Sequence, residues 1–472
     1  MAPSASLPPG PRSPALLQLI RYAPHPAEFL EACAQEFGPT FTMRLAGFGK
    51  FVMLARPTAI RDVFRGDPVS LHSGEGNAFL SATVGPRSVL VLDEAEHAAQ
   101  RAILVPPLHG ERMRSHVDRM VRATADVVDA WPDGRPLRIE DAMRAITLRC
   151  ILEVVLGIEG RDREALGGEI ARMLGYTRMP FALVFARVNP HGLLRRIPGL
   201  PYYRELRRVD ASLHDHLRRR RAELGCAPAR HDVLDDLLRA RDAAGATLGD
   251  GEIRDALMTM LVAGHDTTAV ALAWVFLRVL ERPDVVAAIR DEVARVTGGA
   301  PVAADHLGRL EYVDAVIRES LRLCTVIPFV TRLTKRPFTA DGRDYPPGIH
   351  LCPCIHLVHL DPELYPEPKR FRPERFLERK FGAHEWLPFG GSDRLCTGMA
   401  FALMQMKVVL ATVVASVDLA RPDGAATRRV RRGVLIAPSD GTRVVVTARP
   451  RLETGADVEG GGEEGAGRRM GG

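Results

Sequence analysis

A single cysteine, Cys396, stands between a glycine-rich loop and a strongly apolar stretch, in the run Phe389-Gly390-Gly391-Ser392-Asp393-Arg394-Leu395-Cys396-Thr397-Gly398. Gly390 and Gly391 allow a tight turn and the close approach of a flat cofactor. The stretch from Gly398 to Leu410 reads as a buried helix. A cysteine just before it faces N-terminal N–H groups, which favour the thiolate over the thiol. Arg394, two residues upstream, can serve a cofactor carboxylate. The chemistry that fits is axial thiolate ligation of haem iron, which pushes electron density onto the metal and favours O–O cleavage. The competing assignment is a buried structural cysteine on a loop.

This segment resembles the haem-binding signature of the cytochrome P450 family: Phe, two residues, Gly, one residue, Arg, one residue, Cys, one residue, Gly. Phe389, Arg394, Cys396 and Gly398 match it. Ser392 departs, since the family usually has Gly there. A serine in the left-handed region costs about 1 kcal/mol or somewhat more unless its hydroxyl caps a local backbone group.

A second constellation is Ala263-Gly264-His265-Asp266-Thr267-Thr268, inside a long apolar helix predicted from about Asp250 to Leu280. Asp and paired Thr are poor choices for a buried helix centre, and burying them without partners costs a few kcal/mol. The alternative is a kink with Thr bonded back to the preceding turn. In the family this stretch crosses the distal face of the haem. The resemblance implies that Ala263 and Gly264 leave room for O2, that Thr267 hydrogen-bonds the dioxygen, and that Asp266 relays protons from solvent. Oxygen cleavage needs two protons, so a relay is chemically required. His265 points about 100° away around the helix and is expected to pack outside the pocket.

Two further sets carry charge. Glu319 and Arg322, three apart, share a helix face, and Phe371-Arg372-Pro373-Glu374-Arg375-Phe376 lies downstream. Glu-x-x-Arg occurs by chance in many helices. The resemblance implies a triad of Glu319, Arg322 and Arg375 that braces the cysteine loop, a structural role. His97 and Arg101, four apart, share another face. The two haem propionates need partners when buried. By position in the family, His97, Arg101, Arg332 and Arg394 are the expected partners. An ordinary solvated face is the alternative for His97 and Arg101.

One competitor is His350-Leu351-Cys352-Pro353-Cys354-Ile355-His356. In a strand, residues 350, 352, 354 and 356 line one face, which raises the question of zinc. A straight strand spreads such ligands about 7 Å apart per step and cannot converge them as a tetrahedron. Pro353 fits an edge or irregular segment.

The chain has 472 residues, 46% of them hydrophobic, and net charge +6. Its seven cysteines are scattered and odd in number, which points to a reducing compartment rather than a disulfide framework. Ala15-Leu16-Leu17-Gln18-Leu19-Ile20 is far short of the ~20 apolar residues that a membrane span needs. Leu7-Pro8-Pro9-Gly10-Pro11 looks like the proline-rich hinge that follows the anchor of microsomal P450s, with no anchor before it. The expectation is a soluble cytoplasmic enzyme and a monomer. Residues 39–56 read as a strand pair, about 95–300 as mostly helical with a break at Arg196–Pro201, and about 326–355 and 430–448 as strands. The predicted fold class is mainly α with small β-sheets, the cytochrome P450 fold. Residues 1–14 form a proline-rich tail, 15–450 a single haem domain, and 451–472 a polar tail expected to be disordered.

The resemblance implies a haem-thiolate monooxygenase that uses haem b and O2. A peroxide-driven peroxygenase typically lacks the acid–alcohol pair that Asp266 and Thr267 form here. A haem carrier or sensor has no use for that pair. No GxGxxG follows a strand, so electrons are expected from a separate ferredoxin or flavodoxin with its reductase. Arg370, Arg372, Arg379, Lys380 and Lys407 are candidates for a basic docking face. The positive excess is small and spread out, and nothing points to nucleic acid. By position in the family, Phe79, Leu80, Phe181, Val262, Ala263, Val326, Ile327, Phe329, Val330 and Pro438 line the substrate pocket. They are mainly apolar, so the substrate is expected to be lipophilic: a terpenoid, fatty acid, steroid or macrolide-like compound.

Overall fold

The computed structural model describes residues 6–178 and 200–449, apart from 225, 227–229, 243, 423 and 425. The expected pocket residue Phe181 and the tail from 451 lie outside them. Six helices position the site: α1 Pro57–Arg65, α2 Glu94–Leu104, α3 Ile139–Cys150, α4 Asp250–Leu280, α5 Glu311–Leu323 and α6 Met399–Ser416. The expected α4 helix therefore forms between the predicted bounds. Acidic Asp250 and Glu252 sit in its first turn, and the Glu252 carboxylate accepts the Gly249 amide at 2.9 Å. Both features suit the positive end of a helix dipole. α4 lies across α3 and also meets α5 and α6. Their apolar side chains merge into one large helical core.

A five-stranded sheet holds the second core. Its strands are β1 Thr40–Leu45, β2 Gly49–Leu54, β3 Leu71–His72, β4 Arg332–Thr334 and β5 His350–Pro353, in the order β1-β2-β5-β4-β3. β1 and β2 form the expected hairpin, with Phe41 opposite Met53. Pro353 does not lie on an edge strand as expected. It ends the central strand β5, opposite Leu54 of β2 and beyond the last residue that β4 pairs. A missing N–H is harmless there because no β4 partner awaits it. A separate hairpin, β6 Arg429–Arg432 and β7 Leu435–Pro438, pairs Arg429 with Pro438. Ile436 is fastened to α4 by the Trp274 indole and to the segment after α5 by the Val326 carbonyl.

The zinc geometry does not arise. β5 stops at Pro353, and His356 sits on a short helix, Ile355–Val358, where its Nε2 meets Glu31 Oε1 at 3.0 Å. The His350 ring instead stacks on Phe51, with centroids 4.6 Å apart. Among the described residues two helices, α4 and α6, are long and apolar enough to cross a membrane, and both are mostly buried within the protein.

Candidate active site

The cysteine loop is closed by one hydrogen bond, from the Cys396 amide to the Phe389 carbonyl at 3.0 Å. Gly390 sits at φ +71 and Ser392 at φ +66, both left-handed. The Ser392 cost is offset as expected for a bonded hydroxyl, but the partner is distant in sequence: Oγ donates to the Phe64 carbonyl in α1. Gly391 has a different reason to lack a side chain. A Cβ there would stand 2.4 Å from Phe64 Cε2. Phe389 packs edge-on against Trp386, whose ring also lies under Arg318.

The Cys396 side chain is open to solvent on one side. Burial still pushes its pKa up, against the pull of the Gly398 amide and the Arg101 charge. The pull of the Gly398 amide is in the direction expected of the start of α6.

Four nitrogenous side chains gather near this loop. His97 and Arg101 come from α2, Arg332 from the start of β4, and Arg394 from the loop itself. Arg101 donates to the Leu395 carbonyl at 2.6 Å, and Arg332 to the Thr331 and Gly391 carbonyls at 3.1 and 3.3 Å. Arg394 is paired with Asp93 at 2.6 Å, and the same carboxylate caps the amides of Ser73, Gly74 and Glu75. Arg332 is 5% exposed, and among the described residues no carboxylate lies within ion-pair distance of it. Burial drops its pKa to about 10, and burial with the nearby Arg394 and Arg101 charges drops His97 to about 4. A buried guanidinium without an anion is costly, so the cluster is electrostatically incomplete. A cleft of about 420 Å³ opens beside it, lined in part by His97, Ala98, Arg101 and Asp393.

α4 is buried along almost its whole length. Between 253 and 277 the residues that keep solvent contact are Met260, Val262, Ala263, Gly264 and Thr267. Positions 260, 263, 264 and 267 follow the helical repeat and share one face. Thr267 Oγ1 donates to the Ala263 carbonyl. A Cβ added at Gly264 would stand 3.4 Å from Ile151 Cδ1, close to an ordinary packing distance. His265 turns the other way, as expected, and meets Thr147 Oγ1 at 2.9 Å.

Asp266 is 8% exposed and clamped. Arg144 of α3 reaches Oδ1 at 3.1 Å, and Arg178 reaches Oδ1 at 2.7 Å and Oδ2 at 3.2 Å. Burial alone would raise this carboxyl, but His265, Arg178 and Arg144 together hold it below its ordinary value. Burial lowers His265 to about 4, so the imidazole is neutral near pH 7 and the two guanidiniums carry the attraction there.

Glu319, Arg322 and Arg375 are buried together. Arg322 grips Glu319 with two bonds of 2.6 and 2.8 Å, and Arg375 Nε adds a third at 3.1 Å. The remaining guanidinium protons go to the carbonyls of His359, Pro368, Pro366 and Glu367. The brace thus fixes 359–375, the segment that leads into the cysteine loop.

A family model described as Cytochrome P450 matches residues 7–443. The chain belongs to the cytochrome P450 family. It is 36% identical over 446 residues to cytochrome P450 135B1 of Mycobacterium bovis, covering 94% of this chain and 92% of that one. It is 32% identical to cytochrome P450 135A1 of Mycobacterium tuberculosis, covering 95% and 97%. The fold is that of the retinoic acid-bound cyanobacterial CYP120A1 structure (TM-score 0.80, 23% identity, 95% and 100% covered). This P450 is therefore a haem monooxygenase. The residues present fit that group: an exposed thiol, and a buried guanidinium, Arg332, without a carboxylate among the described residues.

The remaining expected P450 site residues lie in several elements. Phe329 is half-buried and packs on Tyr22 and Phe51 at the margin of the sheet core, with centroids 6.4 and 6.1 Å away. Val330 lies close to Gly390 of the cysteine loop. Phe79 and Leu80 are half-buried in a 3-10 turn, Glu75–Leu80, Val326 and Ile327 are half-buried after α5, and Pro438 is buried at the end of β7. Most of the candidates for a basic docking face are paired within the chain. Arg370, Arg372 and Arg379 are paired with Glu367, Glu378 and Glu385. Lys407 is only 15% exposed and is held by Asp314. Only Lys380 remains of that set as an exposed cation without a carboxylate among the described residues. Sequence reading missed Arg144, Arg178, Asp93 and Phe64. The Glu140–Arg144 spacing on α3 was the one available signal.

Proposed function

We propose that this P450 oxygenates a lipophilic small molecule, by hydroxylation or epoxidation, with haem b ligated by Cys396. The observation that carries the reading is the conjunction of an open thiol with one half-exposed face on an otherwise buried helix. When bound, the haem supplies an iron centre that activates O2, one oxygen atom entering the substrate and the other leaving as water. Arg101, Arg332 and Arg394 would neutralise its propionates and His97 would hydrogen-bond them, which would supply the anion that Arg332 lacks. Thr267 presents its hydroxyl at the half-exposed face. It can give up its bond to the Ala263 carbonyl to hold a proton there. Asp266, one residue away, exchanges protons with solvent once one of its guanidinium partners moves aside. Phe79, Leu80, Val262, Ala263, Val326, Ile327 and Pro438 would supply an apolar wall. That favours terpenoid, fatty acyl, steroid or macrolide-like substrates.

Electrons come from a separate ferredoxin or flavodoxin and its reductase, and the enzyme works as a monomer. All seven cysteines are free, which suits a reducing cytoplasm. The reading is tested in two steps. The reduced carbon monoxide complex must absorb at the position that thiolate ligation gives, and Cys396→Ser must abolish it. Lipophilic compounds are then screened for the spin-state change that follows displacement of the axial water. Binders are turned over with ferredoxin and reductase. Turnover supported by hydrogen peroxide alone would overturn the partner assignment.

A further inference from the structure

Glu140, in the first turn of α3, is fully buried. Its Oε1 receives two guanidinium groups, Arg144 Nη2 from α3 and Arg432 Nη1 from β6. Its Oε2 is buried and has no hydrogen-bond partner among the described residues. Each of the two arginines has further commitments. Arg144 Nε holds Asp266 at 3.1 Å, and its Nη1 holds Asp141 Oδ1 at 3.2 Å. Arg432 Nη2 holds the Pro438 and Ser439 carbonyls, both at 3.2 Å. The backbone repeats the connection: the Ile139 and Glu140 amides donate to the Thr442 and Gly441 carbonyls, both at 3.0 Å. One carboxylate thus stands between the turn after β7 and the acid on α4.

We propose that Glu140 is a positioning residue that couples the Pro438–Ser439 turn to the Asp266 carboxylate, through Arg432 on one side and Arg144 on the other. This deepens the reading above, since it gives Pro438 to the substrate wall and Asp266 to proton exchange. Two cations share one oxygen while a second oxygen waits beside it. Such an arrangement has two states. When Arg432 leaves with the turn, Arg144 can take both Glu140 oxygens in the bidentate geometry that guanidinium and carboxylate prefer. Arg144 then releases Asp266, which keeps Arg178 alone and is free to turn. Substrate pressing on Pro438 is in this way transmitted to the acid. Coupling of this kind is reciprocal, so a change at Asp266 must reach the turn.

Reciprocity gives a test that needs no substrate and no turnover. Hydrogen–deuterium exchange of 428–442 is measured in the haem-loaded enzyme for wild type, Asp266→Asn, Glu140→Gln and the double variant. Loss of the Asp266 charge should send Arg144 onto Glu140, displace Arg432, and speed exchange in 428–442 by about threefold or more. In the Glu140→Gln background the same change should leave 428–442 unaltered. The proposal is overturned if Asp266→Asn has no effect there, or an equal effect in both backgrounds. If Glu140→Gln does not yield haem-loaded protein, Arg144→Gln cuts the same link from the other side and makes the same prediction. Unaltered turnover in Asp266→Asn would refute the proton role of that acid while leaving the exchange result to stand or fall alone.

Discussion

The Ser392 hydroxyl donates to the Phe64 carbonyl and so ties the cysteine loop to the last turn of α1. The residues are far apart in sequence, and the bond falls where the backbone is left-handed. Two substitutions separate strain from bonding. Ser392→Ala keeps the strain and loses the bond, leaving the Phe64 carbonyl short of a donor, at about 1–2 kcal/mol. Ser392→Gly loses the same bond but relieves about 1 kcal/mol of strain. Denaturant midpoints of the haem-loaded protein should rank wild type and Ser392→Gly close together and Ser392→Ala below them. A Gly variant as unstable as the Ala variant would show that strain at 392 does not matter.

Glu319 has no such tolerance. It is fully buried and accepts from Arg322, Arg375 and the Arg372 amide. Glu319→Ala leaves two buried guanidiniums without an anion, which costs about 3–5 kcal/mol. The expected outcome is a steep loss of soluble, haem-loaded protein at 37 °C. Near-normal yield with an unchanged unfolding midpoint would contradict the bracing role.

The difference between these two cases shows what the sequence could carry. Glu319 and Arg322 sit three apart on one helix, and Cys396 stands in a local pattern, so both were legible. So was α4, whose ends and apolar length are local properties. The partners of Ser392 and Asp266 were not. Phe64, Arg144 and Arg178 reach them through the packing of separate elements, and no local pattern encodes that. The contacts of Phe329 with Tyr22 and Phe51 were hidden for the same reason, since they join separate elements. The basic candidates were legible by type, but their pairing with Glu367, Glu378 and Glu385 was not. Nor was the pairing of Lys407 with Asp314, which joins separate helices.

Thr267→Ala should separate folding from chemistry. The Thr267 hydroxyl is bonded back to Ala263 within α4, and alanine suits a helix better. Stability should therefore stay within about 0.5 kcal/mol of wild type. The lost hydroxyl should appear instead as uncoupling, with more hydrogen peroxide released per electron pair consumed. Unchanged peroxide yield at unchanged haem content would remove Thr267 from the proton path.

Acid should weaken the fold before it reaches the carboxylates. Burial lowers His265 to about 4, and burial with the Arg119 charge lowers His116 to about 4, both from 6.5. In the unfolded chain each imidazole takes a proton at its ordinary value, while the folded chain refuses it. The unfolded state thus binds more protons between about pH 6.5 and 4, and stability falls as pH falls through that window. Each group contributes on the order of 3 kcal/mol once the window is crossed. Asp266 does not confuse the measurement. Its pKa is depressed, so its contribution is present above its ordinary value of 3.8 and is lost only at lower pH. His265→Gln keeps a partner for Thr147 Oγ1 but cannot titrate. Urea midpoints measured across the window should fall less steeply for this variant, by about one proton's worth of slope. A variant with the wild-type slope would mean that His265 is already protonated in the folded protein, and that the Thr147 contact does not keep it neutral.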